Sequence, residues 1–473
     1  MADKVFVRLV PKSRQNISRM VSFEAALAPN AAQAFTPDPK QAQKAQVELA
    51  SHSITALKTA ENRLEMSMTP QQCADLFQVD VKRAPSSADA APKAVSRLTK
   101  HETFLKPASE LIIPDALKAS IDFAYVPRPV EYFGTSFLPP MEDNYHLRLE
   151  AVSHAMNAAK CHRRGWTGRG VKVAMVDSGF ARHPYLDRAG YNIVRLSGPD
   201  AGNAEKDDSG HGTGESANVL AIAPDVILIC VKQGSSAAGD LETAISENPD
   251  IITCSWGWSI DNANKNALKT NDPNMFNELV DIETIVADVI SRGTVACFSG
   301  GNGHLSFPAC LPQVLAIGGA MIKDDGQVEA SNYASSFESK LYPERKVPDF
   351  CGVVGSATKS KDGTLPGHIM LPVPPGSSLD GENFSPKRGG LGWGIFSGTS
   401  AAAPQVAGVV ALMKSISPKL RPDQVRQILK STAFDVKTGK SAMGVAATDG
   451  PDLATGAGLV DAFQACNAVA ALS

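Results

Sequence analysis

From about residue 145 onward, short and mostly apolar runs alternate with longer stretches whose apolar positions recur every three or four residues. The runs 171–176, 226–231, 251–255, 294–298 and 314–317 are rich in Val and Ile and lack the polar alternation of a half-exposed strand, which predicts strands buried on both faces. The stretch 277–292 is amphipathic with a helical period, and 146–163 has the same pattern. Strands separated by helices predict an α/β fold, with a mostly parallel sheet and helices on both faces.

The first part of the chain reads differently. Residues 5–10 are strand-like, and 64–68 alternate apolar and polar as a half-buried strand does. Thr69 and Pro70 supply an N-cap and a first-turn proline for a short helix over 71–77, and 79–81 suits a further strand. These pieces predict a small α+β domain over 1–83. A connector follows over 84–144, opening on the Ala-, Ser- and Pro-rich stretch 84–94. Within it, 111–113 and 123–126 are candidate strands, while Pro127, Pro129, Pro139 and Pro140 favour exposed, extended chain. The large domain is then 145–473. Its Pro- and Gly-rich stretch 366–392 reads as an ordered loop.

Composition narrows the function. With 46 Lys plus Arg against 49 Asp plus Glu, no cation excess is available to neutralise phosphates, so neither nucleic acid nor an anionic membrane is expected as a partner. The N-terminal residues carry Asp3, Lys4 and Arg8 and no long apolar core, unlike a signal peptide, and no run of about 18 apolar residues suggests a membrane span. Eight cysteines in 473 residues are too sparse for a disulfide scaffold and form no CxxC pair, so a reducing, cytoplasmic setting is the simplest expectation.

Three short motifs carry chemistry. The run 173–177 ends in Asp177, followed by Ser178-Gly179; the carboxyl ends of parallel strands form the ligand crevice, although an Asp there also serves as a turn or cap residue. His211 stands among glycines at the start of a helical stretch, either as a site residue or as an ordinary satisfied histidine. Ser400 follows Gly398-Thr399 at the start of a small-residue apolar stretch. Thr399 can cap that helix, Pro404 suits its first turn, and Ser400 is either a nucleophile at the helix N-terminus or part of the cap.

Together, Asp177-Ser178-Gly179, His211-Gly212-Thr213 and Gly398-Thr399-Ser400 with Ala401 to Pro404 resemble the signature motifs of the subtilases, the subtilisin-like serine proteases, in the family's order. Ser299 to Asn302 resembles the family's oxyanion segment, and the likeness runs from about 145 to 470. The resemblance implies a serine endopeptidase acting on protein or peptide substrates, with Asp177, His211 and Ser400 as the triad and Asn302 in the oxyanion hole. Ser255, Trp256 and Gly257, with Gly300 and Gly301, would bind the substrate backbone as an added strand. No cofactor is implied. The calcium-binding loop of many secreted relatives has no counterpart in the short link 220–225, so no metal is expected, and Asp207 and Asp208 read as solvated turn residues. Gly214 stands where the family usually has a second His. Residues 1–83 resemble the family's propeptide, an intramolecular inhibitor, which would make the chain a self-processing precursor cut between about 133 and 145. The alternatives are a catalytically silent scaffold of the same fold, or a partner-activated protease whose N-terminal domain binds that partner. A nucleotide-binding reading of Gly439-Lys440-Ser441 fails, because Phe434 stands where a phosphate loop needs its first glycine.

Overall fold

The computed structural model describes residues 4–15, 36–60, 62–85, 95–97, 103–128, 130, 133–135, 149–260, 264–323, 325–357, 367–381 and 390–472. The N-terminal unit contains β1 (Val5–Pro11), α1 (Pro39–Ser51), β2 (Leu57–Lys58), β3 (Leu64–Met68), α2 (Pro70–Phe77) and β4 (Ile121–Tyr125). Its antiparallel sheet has the order β2-β3-β1-β4. The alternation in 64–68 is realised: Leu64, Met66 and Met68 are buried with Val5, Val7, Leu9, Cys73 and Phe77. α2 starts as its residues dictate. Thr69 Oγ1 accepts from the Gln72 N–H (3.2 Å), and Gln72 Oε1 accepts from the Thr69 N–H (2.9 Å), a reciprocal capping box.

Of the two candidate strands read in the connector, one is absent and one is present. Residues 111–113 form no strand, although Leu111 is buried in the N-terminal core. Residues 121–125 do form one, and it pairs with β1, Arg8 opposite Tyr125 and Val10 opposite Phe123. The N-terminal sheet therefore takes its edge strand from well beyond residue 83. The remaining strand of the first reading lies at Val81–Pro85 and pairs with Thr103–Pro107.

The large unit contains β5 (Lys172–Asp177), β6 (Asn192–Ser197), α3 (His211–Ile222), β7 (Ile227–Lys232), α4 (Ala237–Ser246), β8 (Ile251–Cys254), α5 (Pro273–Ser291), β9 (Val295–Ser299), β10 (Leu315–Ile322), β11 (Val328–Ala330), β12 (Phe350–Val353) and α6 (Thr399–Ile416). The sheet order is β6-β7-β5-β8-β9-β10-β11, with β12 also on β10; every pairing is parallel except β10 with β11. This is the expected mostly parallel α/β architecture with a small additional domain. The predicted helix over 146–163 is two, Leu149–Ala155 and Ala158–Arg163, separated by Asn157 in the left-handed region at φ 58°. β5 is laid down first; β7 pairs on one side of it and β8 on the other. Its carboxyl end is thus the topological switch point, where open α/β sheets bind ligands. Asp177 is its last residue.

The outer face of the N-terminal sheet lies on α4 and α5. Arg8 Nε and Arg63 Nε donate to the two oxygens of Asp281 (2.9 and 2.7 Å), and the Tyr125 hydroxyl donates to the same carboxylate at 2.7 Å. Arg63 Nη1 donates to Glu242 at 2.7 Å, Arg8 Nη2 lies 2.9 Å from the same carboxylate, and Arg8 also pairs with Glu65 across the sheet. Both guanidiniums and both helix carboxylates are buried.

All eight cysteines are unpaired and buried. Thiol titration is therefore expected to find almost no reactive group in the folded protein and eight after denaturation; a count of six or fewer in denaturant would reveal a disulfide. Among the described residues, no helix is long and apolar enough to cross a membrane, and no three His, Cys, Asp or Glu side chains converge as metal ligands would.

Candidate active site

β5 delivers Asp177 to the switch point, and α3 starts there on His211. Gly210, at φ 85°, turns the chain into α3 as its N-cap. His211 Nδ1 lies 2.7 Å from Asp177 Oδ1, both side chains being buried. The Ser178 N–H also donates to Asp177 Oδ1 at 2.7 Å, which fixes the carboxylate. Burial alone would depress the His211 imidazolium. The charge and hydrogen bond of Asp177, with smaller contributions from Glu215 and Asp207, more than offset it and lift the group to about 9.

Ser400 is the second residue of α6. That helix is buried along Thr399 to Lys414, as its uniformly small and apolar sequence requires. At Gly408 it lies close against α3: a Cβ there would lie 2.7 Å from Ile222 Cβ. This close fit links the helices that carry His211 and Ser400. The Ser400 hydroxyl donates to the Ser255 carbonyl at 3.3 Å.

Two details of α6 differ from the sequence reading. The N-cap is Gly398, at φ 106°, not Thr399. Thr399 is instead tied to Asn302: its N–H (2.9 Å) and its hydroxyl (3.0 Å) both donate to Asn302 Oδ1, while Thr399 Oγ1 accepts from the Gly301 N–H at 3.1 Å. This orients the Asn302 amide beside Ser400. Pro404 is an interior residue rather than part of the first turn. Proline has no N–H to give to the carbonyl four residues back, which is that of Ser400. The Ser255 hydroxyl replaces the missing donor, at 2.8 Å from that carbonyl.

The other predicted residues cluster nearby. Trp256 is buried, and its Nε1 donates to the Val176 carbonyl at 2.8 Å, one residue before Asp177. At Gly257 a side chain would overlap the Phe307 carbonyl. The Gly300 N–H donates to Ile317 at 2.7 Å, and Gly301 sits at φ 106°.

Asp207 corrects an expectation: it is buried, not solvated. Its oxygens accept from the Ser178 hydroxyl (2.8 Å), the Gly210 N–H (2.9 Å) and the N–H and hydroxyl of Thr213 (2.9 and 2.7 Å), tying the turn after β5 to the first turn of α3. The spacing Asp207-x-x-Gly210, an acceptor just ahead of a helix start, was the available signal. Asp208 is exposed, as read. Sequence reasoning also missed Phe396, whose ring occupies the space that any side chain at Gly214 would enter, and Glu215, buried one turn after His211.

Known proteins place this arrangement. Residues 168–458 match the family described as Peptidase_S8, the subtilase family. Subtilisin NAT from Bacillus subtilis subsp. natto is 31% identical over 317 residues, covering 61% of this chain and 68% of that protein. Subtilisin Savinase from Lederbergia lenta is 28% identical over 293 residues, covering 59% and 88%. In fold, the chain is similar to fervidolysin from Fervidobacterium pennivorans, a keratinolytic enzyme related to subtilisin, at a TM-score of 0.59 and 16% identity over 98% of this chain and 61% of that one. It is also similar to a lanthipeptide protease, at a TM-score of 0.51 and 20% identity over 67% and 94%.

Proposed function

Because this chain belongs to the subtilase family, and is a serine endopeptidase, we propose that Asp177, His211 and Ser400 are its catalytic triad and that it is made as a self-processing precursor. The observation that carries the first part is the buried 2.7 Å contact between Asp177 and His211 Nδ1 at the switch point of the sheet. Asp177 holds the imidazole so that Nε2 is the proton acceptor. The Ser400 hydroxyl turns from the Ser255 carbonyl to Nε2, loses its proton there and attacks the scissile carbonyl. The imidazolium then gives that proton to the leaving amine, and water repeats the cycle on the acyl-enzyme. The Asn302 amide, oriented through Thr399, and the Ser400 N–H at the positive end of α6 stabilise the oxyanion. Ser255 to Gly257 with Gly300 and Gly301 line the path of an extended substrate.

The second part rests on the N-terminal unit. β7 places Lys232 beside Asp177 in register and leads directly into α4, one of the two helices on which that unit docks. A domain held there is well placed to restrain the cleft. The eight unpaired cysteines support a reducing compartment such as the cytoplasm.

Incubating purified wild type and Ser400→Ala with an unfolded protein, then reading all new N-termini, tests both parts. Wild type is expected to cut the substrate and to cut itself between about 133 and 145, mostly outside the described residues; Ser400→Ala should do neither. Wild type that cuts substrate at full rate while staying intact would refute the precursor reading and favour a permanent regulatory domain.

A further inference from the structure

In a helix, residues four apart share a face, so the fourth residue after His211 comes round beneath it. That residue is Glu215. It is fully buried, an unusual position for an ionisable group that pairs with no Lys or Arg among the described residues. Glu215 Oε2 accepts from Asn218 Nδ2 at 2.8 Å. Among the described residues Glu215 Oε1 makes no hydrogen bond, and it lies 3.9 Å from His211 Nε2. The imidazole thus stands between two carboxylates, Asp177 on its Nδ1 edge and Glu215 toward its Nε2 edge.

The geometry points to Glu215 as a positioning residue of the peptidase, a second carboxylate that acts through His211 and sets the pH range in which the enzyme works. This rests on the triad proposed above. When Ser400 is deprotonated, its proton moves to Nε2 and a positive charge appears on the ring. Glu215 faces that charge across a short gap and stabilises it until the proton passes to the leaving amine. The same attraction favours the imidazolium in the resting enzyme, where it blocks the general base. Glu215 therefore exchanges activity at lower pH for activity at higher pH.

Three ionisable groups act on the ring: Asp177 from β5, Asp207 from the turn before α3, and Glu215 from α3. From the segment leading into α6 and from α6 itself, the neighbours Phe396 and Ser400 are uncharged. Asp207 has its oxygens occupied by Ser178, Gly210 and Thr213. Glu215 is the one whose removal changes charge without dismantling the turn or the triad. Burial pushes its carboxyl up to about 8 against the pull of His211, so it ionises within the range where the imidazole titrates.

Glu215→Gln keeps the shape and can still accept from Asn218. Its acid limb of kcat/KM, and of Ser400 inactivation by a fluorophosphonate, should move down by about one pH unit, the lower end for an opposite charge at this distance. At one unit below the wild-type midpoint, the variant should then retain a roughly fivefold larger share of its own high-pH plateau than wild type does of its own, while that plateau falls several-fold. Glu215→Met should shift the limb the same way. A loss uniform across pH, in both variants and with intact thermal unfolding, overturns the inference. Should neither variant fold, the wild-type profile decides: a raised limb shallower than a one-proton curve, as a carboxylate titrating against the imidazole requires, supports it, and a simple one-proton limb overturns it. Wild type that never reacts with the fluorophosphonate would instead sink the triad reading, a distinct outcome.

Discussion

Replacing Ser400 by Ala should lower kcat on a peptide substrate by on the order of 10⁶, and His211→Ala by a similar factor, as the matching changes do in subtilisin itself. Asp177→Ala should be milder, about 10⁴, because an imidazole without its carboxylate still accepts protons in part. The three losses should not add, since the groups act as one unit. The Ser400 change removes one hydroxyl that donates to a carbonyl 3.3 Å away, so folding should survive it. Steady-state kinetics with circular dichroism as the fold control measures this. Retention of more than a hundredth of the wild-type rate in Ser400→Ala would remove Ser400 from the mechanism.

The second large effect is at the domain junction. Asp281→Ala would strip Arg8, Arg63 and the Tyr125 hydroxyl of their shared acceptor while leaving two guanidiniums buried. Removing one partner from a buried network costs about 3–5 kcal/mol, because the charge left behind has no water to turn to. A surface pair such as Lys82 with Asp80, both exposed, should by contrast be removable with no measurable effect. In the Ser400→Ala background, where self-cleavage cannot interfere, Asp281→Ala should loosen the N-terminal unit and open it to limited proteolysis well below the temperature at which the large unit melts. Unchanged protease resistance would show that the remaining contacts, Arg63 with Glu242 and Asn274 with the Val126 backbone, hold the junction without Asp281.

Much of this was legible in the residues because it is locally determined. Runs of Val and Ile bounded by turns gave β5, β7, β8 and β9 to within a residue, whereas 314–317 covers only the start of β10, and β6 and β12 were not read at all. Thr69, Pro70 and Gln72 announced a helix start through their own hydrogen-bonding chemistry. The motif residues Asp177, His211 and Ser400 stood out because each sits where a strand ends or a helix begins. What stayed hidden depends on partners distant in sequence. β4 joins β1 across more than a hundred residues, and nothing in 121–125 names that partner. Asp207 read as solvated because its neighbours are polar; only the folded turn buries it. Thr399 has the right chemistry for a cap, yet Asn302, 97 positions away in sequence, claims both its donors. Glu215 sat in view one turn after His211, but its meaning requires knowing that α3 is buried on every side.

The most direct measurement is the mass of the protein after reaction with a small fluorophosphonate, taken before and after an incubation that permits self-processing. Wild type is expected to gain one adduct, carried by the peptide that contains Ser400, and Ser400→Ala to gain none. Folded wild type that stays unlabelled throughout, or Ser400→Ala that labels as well as wild type, would contradict a nucleophile at Ser400.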